Sequence, residues 1–405
     1  MCEFLNGQFS AGLVAMGGYL PGKNIRERDA SQLPAYLAKQ TRLHHDYLKP
    51  ISENGLLPGT VETNYDGWQS QPWYKAWFDR LPDKKKSNPF AGIETRCRVP
   101  VDPESRANAI RPHLMLSSDA ETLAGALALY NAGMDQSMVD LLMVSSLVPD
   151  RHVPLNASLV QHKLKLPNAG AYNIDTCCSS FITMLEMAVL YVRCGLKRNV
   201  MIIGSAIDSH ISDKSNYYSP NTGDAAVAGI VSRVDEGYGY ISSHSISQGA
   251  RHAAIVFQRR RPRLSAITSQ GPDFEQEFVT FNDPSLCKEI AENCRDDIVT
   301  VVDGALGKAN YSREDIDFLV AHQPVHWAGN AWREALGIPA GKYHETFRHY
   351  GNIAVASVAV NLLDALEKGK VNCGDNVVMV SSGVGENHGA LLQKISPRLL
   401  QVNGL

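Results

Sequence analysis

None of the eight cysteines, at positions 2, 97, 177, 178, 194, 287, 294 and 373, stands in a C-x-x-C pair, so neither a zinc ribbon nor a disulfide framework is indicated. No stretch approaches the roughly 18 consecutive apolar residues of a membrane span. The start, Met1-Cys-Glu-Phe-Leu-Asn-Gly7, has no basic region followed by an apolar run, which argues against a secretory leader. Excess positive charge is missing too. Lys and Arg number 39 against 42 Asp and Glu, a net charge of −3, which argues against a nucleic-acid or anionic-membrane binder. A soluble, cytoplasmic protein is expected. With 405 residues and 44% hydrophobic content, the chain can bury one large core or two halves.

What is present is an internal echo. Met138-Val-Asp-Leu-Leu-Met-Val-Ser-Ser146 resembles Asp315-Ile-Asp-Phe-Leu-Val-Ala-His-Gln323, and Asn199-Val-Met-Ile-Ile-Gly204 resembles Asn376-Val-Val-Met-Val-Ser381, both at an offset of 177. Between them Cys178 aligns with Asn352 and Gly195 with Gly369, at 174. The runs Leu141 to Val144, Val200 to Ile203, Phe318 to Val320 and Val377 to Val380 lack in-out alternation. Such strands are buried on both faces, as in βαβ units with parallel pairing. Two α/β halves follow, 1–240 and 241–405. Residues 39–90 break the pattern with Pro, Gly, Lys and aromatics, including Trp68, Trp73 and Trp77. That length exceeds an ordinary connection, so it reads as an inserted lid, a partner-contact element or a partly disordered stretch. Trp73 and Trp77 can share one face of a short helix, as core packing or as a ligand lid.

Three residues carry chemistry. Cys178 lies in Ala171-Tyr-Asn-Ile-Asp-Thr-Cys-Cys-Ser-Ser-Phe181, where an apolar strand turns through small residues into a helix from Phe181 to Arg193. A thiol there faces the free N–H groups and positive end of the helix, which favour the thiolate. His322 ends a strand, where α/β folds display ligand-binding groups, and Asn352 follows Gly351. Each has a plainer reading: a buried apolar thiol, a satisfied histidine, a helix cap. His326 lies four residues after His322, but Pro324 intervenes and the Glu of H-E-x-x-H is missing, so no metal site is expected. Gly383-Val-Gly-Glu-Asn-His-Gly389 is one residue too long for a dinucleotide fingerprint, and Ala390-Leu-Leu-Gln-Lys394 after it reads as a strand. A turn bringing backbone N–H groups to an oxyanion fits better.

Seven motifs in order give the chain a resemblance to the 3-oxoacyl-acyl carrier protein synthase III branch of the thiolase superfamily. They are Gly17-Gly-Tyr-Leu-Pro21, Gly92-Ile-x-x-Arg96, Pro154-Leu-Asn-Ala-Ser158, Cys178-Ser-Ser-Phe181, Thr222-Gly-Asp-Ala-Ala-Val-Ala228, His322-Gln-Pro324 with Gly351-Asn-Ile-Ala-Val-Ala-Ser357, and Gly383 to Gly389. The resemblance implies an α/β, thiolase-like, duplicated five-layered αβαβα fold with two mixed central sheets, a homodimer, and Cys-His-Asn catalysis without metal or redox cofactor. By the same likeness Cys178, three residues before Phe181, is the nucleophile, and Cys177 is not. Backbone N–H groups of Cys178 and of Val384, beside Gly383, hold the oxyanion; His322 and Asn352 stabilise an enolate; Val153 and Phe181 shape the acyl pocket. Substrates would be phosphopantetheine thioesters on acyl carrier protein or coenzyme A, with Lys84-Lys85-Lys86 and Arg259-Arg260-Arg261 as solvated surface or as contacts for an acidic carrier.

Departures refine the expectation. The family's coenzyme A-binding Trp and Arg are missing from Lys84 to Phe90, which favours carrier-protein delivery. Val153 stands where a bulky Phe is common, predicting a roomier acyl pocket on the partner subunit. The leading expectation is Claisen condensation with a carrier-bound malonyl or β-ketoacyl unit in polyketide or specialised fatty-acid biosynthesis. The alternatives are non-decarboxylative head-to-head joining giving resorcinols, pyrones or ketones, acyl transfer to a hydroxyl or amine, and a non-catalytic partner subunit.

Overall fold

The computed structural model describes residues 9–23, 32–42, 45–63, 72–87, 90, 92–99, 115–208, 219–259, 267–268, 271–272, 277–281 and 283–402. The apolar runs of the sequence become the centres of two mixed sheets. The first is built from β1 (Ala11–Tyr19), β4 (Leu141–Ser146), β5 (Gly170–Asn173), β6 (Val200–Ala206) and β7 (Ala225–Arg233), in the order β1-β7-β6-β4-β5. Here β4 pairs in parallel with β5 and β6, while β7 runs antiparallel to β6 and β1. The second contains β8 (Gly239–Ser247), β11 (Phe318–Ala321), β12 (Asn376–Gly383) and β13 (Asn387–Lys394), in the order β11-β12-β13-β8. Only its β11–β12 pairing is parallel.

Alternate side chains of each central strand enter different cores, which is why no polar face interrupts them. Leu141, Met143, Val200 and Ile202 point to a middle core; Leu142, Val144, Met201 and Ile203 point to an outer one. Likewise Phe318, Val320, Val377 and Met379 face the middle, while Leu319, Ala321, Val378 and Val380 face the other outer core. The middle core encloses helices α6 (Ser180–Arg193) and α9 (Ser357–Glu367) between the sheets. Outside the first sheet lies α4 (Ser117–Ala132), outside the second α7 (Pro284–Lys308) and α8 (Ala328–Ala335). Five layers result.

The repeat is more regular than the sequence suggests. Leu141 pairs with Val200 and Phe318 with Val377, and α6 and α9 begin at Ser180 and Ser357, every time 177 apart. The offset of 174 belongs to the helix ends, because α9 has 11 residues and α6 has 14. The structural counterpart of Asn352 is therefore Asp175, a correction to its alignment with Cys178.

The described part of the segment 39–90 has regular structure of its own and packs in part against the first half. Among its described residues are α2 (His45–Asn54), α3 (Pro72–Asp79), a helical turn Asp83–Lys86, and β2 (Thr60–Thr63) paired antiparallel with β3 (Thr95–Arg98). Ile51 and Leu57, with Leu33 and Leu37 of α1 (Leu33–Gln40), are buried in the first outer core. Trp68, the side chains of Trp73 and Trp77, and Arg260 and Arg261 lie outside the described residues.

Candidate active site

A turn held by hydrogen bonds from both halves presents the thiols. The Asp175 carboxylate accepts the Cys177 N–H at 2.8 Å, which draws the chain into a left-handed residue at Cys177, φ +54°. A 3₁₀ turn, Cys177–Ser179, then leads into α6. The Ser180 hydroxyl donates to the Cys177 carbonyl at 2.7 Å and accepts the Thr176 N–H at 2.8 Å. From the other half, the Ser381 hydroxyl donates to the Cys178 carbonyl at 2.9 Å. Gly383 is required by this contact, since a Cβ there would sit 2.4 Å from the Thr176 carbonyl oxygen. The strand end thereby carries the Val384 N–H to the two sulfurs, where the Cys178 N–H also points.

The sulfurs of Cys177 and Cys178 are 3.8 Å apart. With Cys178 as the donor, the hydrogen bond between the thiols pulls the pKa of Cys177 down and pushes that of Cys178 well above the ordinary thiol range; because either sulfur can donate, these shifts belong to the pair and exchange with the donor. Burial opposes ionisation at both positions, and the backbone N–H groups counter it.

His322 follows β11, with its N–H bonded to the Val380 carbonyl at 2.9 Å. The ring is buried, and burial pulls its pKa down to about 4 despite hydrogen bonds to Asn352 and the Ser382 backbone. It is neutral at physiological pH. Its Nε2 lies 3.2 Å from the Asn352 side-chain oxygen, which assigns the proton to Nε2. The same Asn352 oxygen accepts the Ala354 N–H at 2.9 Å, and the Asn352 N–H donates to the Asn221 carbonyl at 2.6 Å. Buried Arg96 fastens this segment through the carbonyls of Pro220, Phe347 and Arg348. Cys177, Cys178, His322, Asn352 and Val384 line a single cavity of about 410 Å³, with Lys85, His326 and half-exposed Trp327 also on its wall.

Val153, expected at the partner subunit's acyl pocket, is 86% exposed and so open to such a contact. One predicted pocket residue lies elsewhere. Phe181 is fully buried in the middle core, because the first residues of α6 turn inward against β7 and not toward the thiols. Arg251 is a residue the motifs did not reveal. Its Nε lies 2.9 Å from a Glu386 carboxylate oxygen and a terminal nitrogen lies 2.7 Å from Asp297, which pins the Val384 turn onto α7. Asp297, Glu386 and His388 could together approach a cation, yet the Arg251 guanidinium already supplies the positive charge there. Glu386 is pushed up to about 7, first by burial and then by Asp297 and Glu289, against the pull of Arg251. The charged residue within the glycine loop was the available signal.

A duplicated five-layer fold with a thiol at the head of one central helix, and His and Asn from the other half beside it, defines the thiolase-like condensing enzymes. Two family models match: 3-oxoacyl-[acyl-carrier-protein] synthase III over residues 172–249 and its C-terminal part over 306–395. The β-ketoacyl-[acyl-carrier-protein] synthase III of Symbiobacterium thermophilum is 32% identical over 354 residues, covering 85% of this chain and 98% of that protein. The crystal structure of 3-oxoacyl-[acyl-carrier-protein] synthase III from Aquifex aeolicus superposes with a TM-score of 0.68 at 22% identity, over 95% of this chain and 99% of that one. OleA of Xanthomonas campestris shares the fold, with a TM-score of 0.69 at 16% identity over 96% and 99%. The chain belongs to the 3-oxoacyl-[acyl-carrier-protein] synthase III family and is a condensing enzyme of the acyltransferase type. Among the described residues no helix is long and apolar enough to cross a membrane.

Proposed function

We propose that the enzyme loads an acyl group onto Cys178 and condenses it with a carrier-bound malonyl or β-ketoacyl thioester. The Cys178 thiolate attacks the acyl thioester while the N–H groups of Cys178 and Val384 hold the oxyanion. The donor's thiol leaves. A second thioester binds with its carbonyl facing His322 Nε2–H and the Asn352 amide. From a malonyl unit CO₂ departs and these donors hold the resulting enolate; a β-ketoacyl unit reaches its enolate by losing an α-proton to water. The enolate carbon attacks the acyl-enzyme and frees Cys178. Each positioned donor lowers the barrier by roughly 3 kcal/mol. A neutral histidine suits this role, since a donor to an enolate need not carry charge. The chemistry as written calls for no metal or redox cofactor. The observation that carries the reading is the shared cavity of about 410 Å³ lined by thiol, imidazole, amide and Val384.

Delivery by an acyl carrier protein rests on the names of the relatives and on Lys84 to Lys86, a basic turn whose Lys85 borders the cavity. Among the described strands β5 pairs only with β4, and Val153, Leu155, Leu159 and Tyr172 stand exposed near that edge. That apolar edge is proposed as the homodimer surface, which would carry Val153 to the partner's acyl pocket and admit bulky acyl groups, as in polyketide or specialised fatty-acid synthesis. Intact-protein mass spectrometry with a panel of acyl thioesters tests the first stage: the expected adduct is lost in Cys178→Ala. An adduct confined to acetyl donors would contradict the roomy pocket.

A further inference from the structure

We infer that Cys177 is a positioning residue for the reaction of Cys178, its S–H donating a hydrogen bond to the neighbouring thiolate. This deepens the proposed function, and rests on it in taking Cys178 as the nucleophile. Three observations support it. The sulfurs are 3.8 Å apart, within reach of an S–H···S bond. Both thiols line the reaction cavity. Both also meet the Val384 N–H, so a charge on either sulfur is held by that amide and by the remaining S–H. The left-handed φ of Cys177 belongs to the turn, because Ala354, its counterpart in the second half, has φ +42°. What is particular to the first half is a donor placed on that turn.

The groups facing the pair do not replace this donor. Asp175 accepts the Cys177 N–H, and its negative charge disfavours a thiolate on Cys177. His322 is neutral, and its Nε2 bonds to Asn352. Glu386 and Asp208 on the cavity wall supply no positive charge, and burial disfavours a thiolate at both sulfurs. Lys85 and His326 lie on the wall as well, as do the thiols Cys287 and Cys294 of α7. In the resting enzyme one proton leaves the pair for water, and the Asp175 charge beside Cys177 keeps the other on that sulfur. The Cys178 sulfur then forms its bond to the acyl carbon, the donor's C–S bond breaks, and the departing thiolate takes a proton from water. Cys177 keeps its proton throughout.

The test is the pH dependence of alkylation by iodoacetamide, with the labelled residue located by peptide mass mapping. The full-length enzyme is compared with Cys177→Gly and Cys177→Ser. Glycine takes a positive φ freely, so it removes the donor without straining the turn; serine restores an O–H donor. The expected result is labelling at Cys178, a midpoint about one pH unit higher in Cys177→Gly, and a return toward wild type in Cys177→Ser. Coincident profiles for all three proteins would overturn the inference, as would preferential alkylation of Cys177. Acyl loading is measured in parallel. If no thioester acylates the wild type while the alkylation shift persists, the condensing reading falls and the thiol pair stands.

Discussion

The two central helices begin with the same backbone device and carry different chemistry. In each half a side-chain oxygen accepts the N–H two residues on: Asp175 for Cys177 at 2.8 Å, Asn352 for Ala354 at 2.9 Å. In each, a left-handed residue and a 3₁₀ turn follow, and the helix starts three residues after the left-handed residue. One head presents thiols where the other presents Ala354 and Val355. The second uses its capping residue, Asn352, as the polar group beside His322. A duplicated fold thus supplies two equivalent stages, and side chains at non-equivalent positions on them meet in one cavity.

The largest effect belongs to the thiol head. Replacing Cys178 by Ala removes the bond-forming atom and leaves the cap untouched, so the acyl adduct should vanish while thermal unfolding stays near wild type. Loss of a nucleophile in other acyl-transfer enzymes costs as much as roughly 10⁶-fold in rate. An adduct of undiminished yield in Cys178→Ala, mapped to Cys177, would exchange the roles of the neighbours.

Next comes the amide head, where the first half indicates what the cap tolerates. Because Asp175 caps its turn with a carboxylate, Asn352→Asp should fold and keep its bond to the Ala354 N–H. It would lose an amide donor to the second thioester, and its charge would raise the pKa of His322 from about 4. Carbon–carbon bond formation should fall roughly 10²- to 10³-fold with the Cys178 adduct intact. Its acid limb should move to higher pH, because His322 would now gain a proton more readily. Wild-type condensation by Asn352→Asp, with none by His322→Ala, would reduce Asn352 to a cap.

How far the sequence could show this depends on the range of each interaction. The strands from Leu141, Val200, Phe318 and Val377 were legible because burial on both faces writes continuous apolar runs. Cys178, His322, Asn352 and Val384 were legible because each sits at a strand or helix end with small residues beside it. The Arg251 contacts with Asp297 and Glu386 were not, since they span 46 and 135 positions and no local spacing marks them. Nor were the directions of side chains. Phe181 belongs to a motif, yet it turns into the core.

Phe181 sharpens that point, since core and pocket residues fail differently. Its fully buried ring predicts that Phe181→Ala costs about 3–5 kcal/mol of stability. Chemical denaturation should show the loss, while the relative rates for short and long acyl donors stay unchanged. A shift in donor preference without a stability loss would put the ring in the acyl pocket after all.

The smallest effect separates the helices along their length. At the 177-residue offset, Met187 of α6 corresponds to Asp364 of α9, so an apolar position in one half is a buried carboxylate in the other. Asp364 accepts from His344 Nε2 at 2.5 Å, Lys368 Nζ at 2.6 Å and the Tyr350 hydroxyl at 3.3 Å, tying the segment before Asn352 to the helix. Burial alone would raise its pKa, but the bonds from His344 and Lys368 outweigh burial and hold it at about 2 against 3.8. A depressed acid stabilises the fold above its unfolded pKa and loses that contribution as pH falls through its folded one. Asp364→Asn should therefore cost about 2 kcal/mol at neutral pH, a gap that closes as pH drops from about 4 to about 2. Urea midpoints measured at neutral and acid pH would show it. A gap constant with pH would mean that Asp364 acts by packing, as Met187 does, and the second head is then positioned without charge.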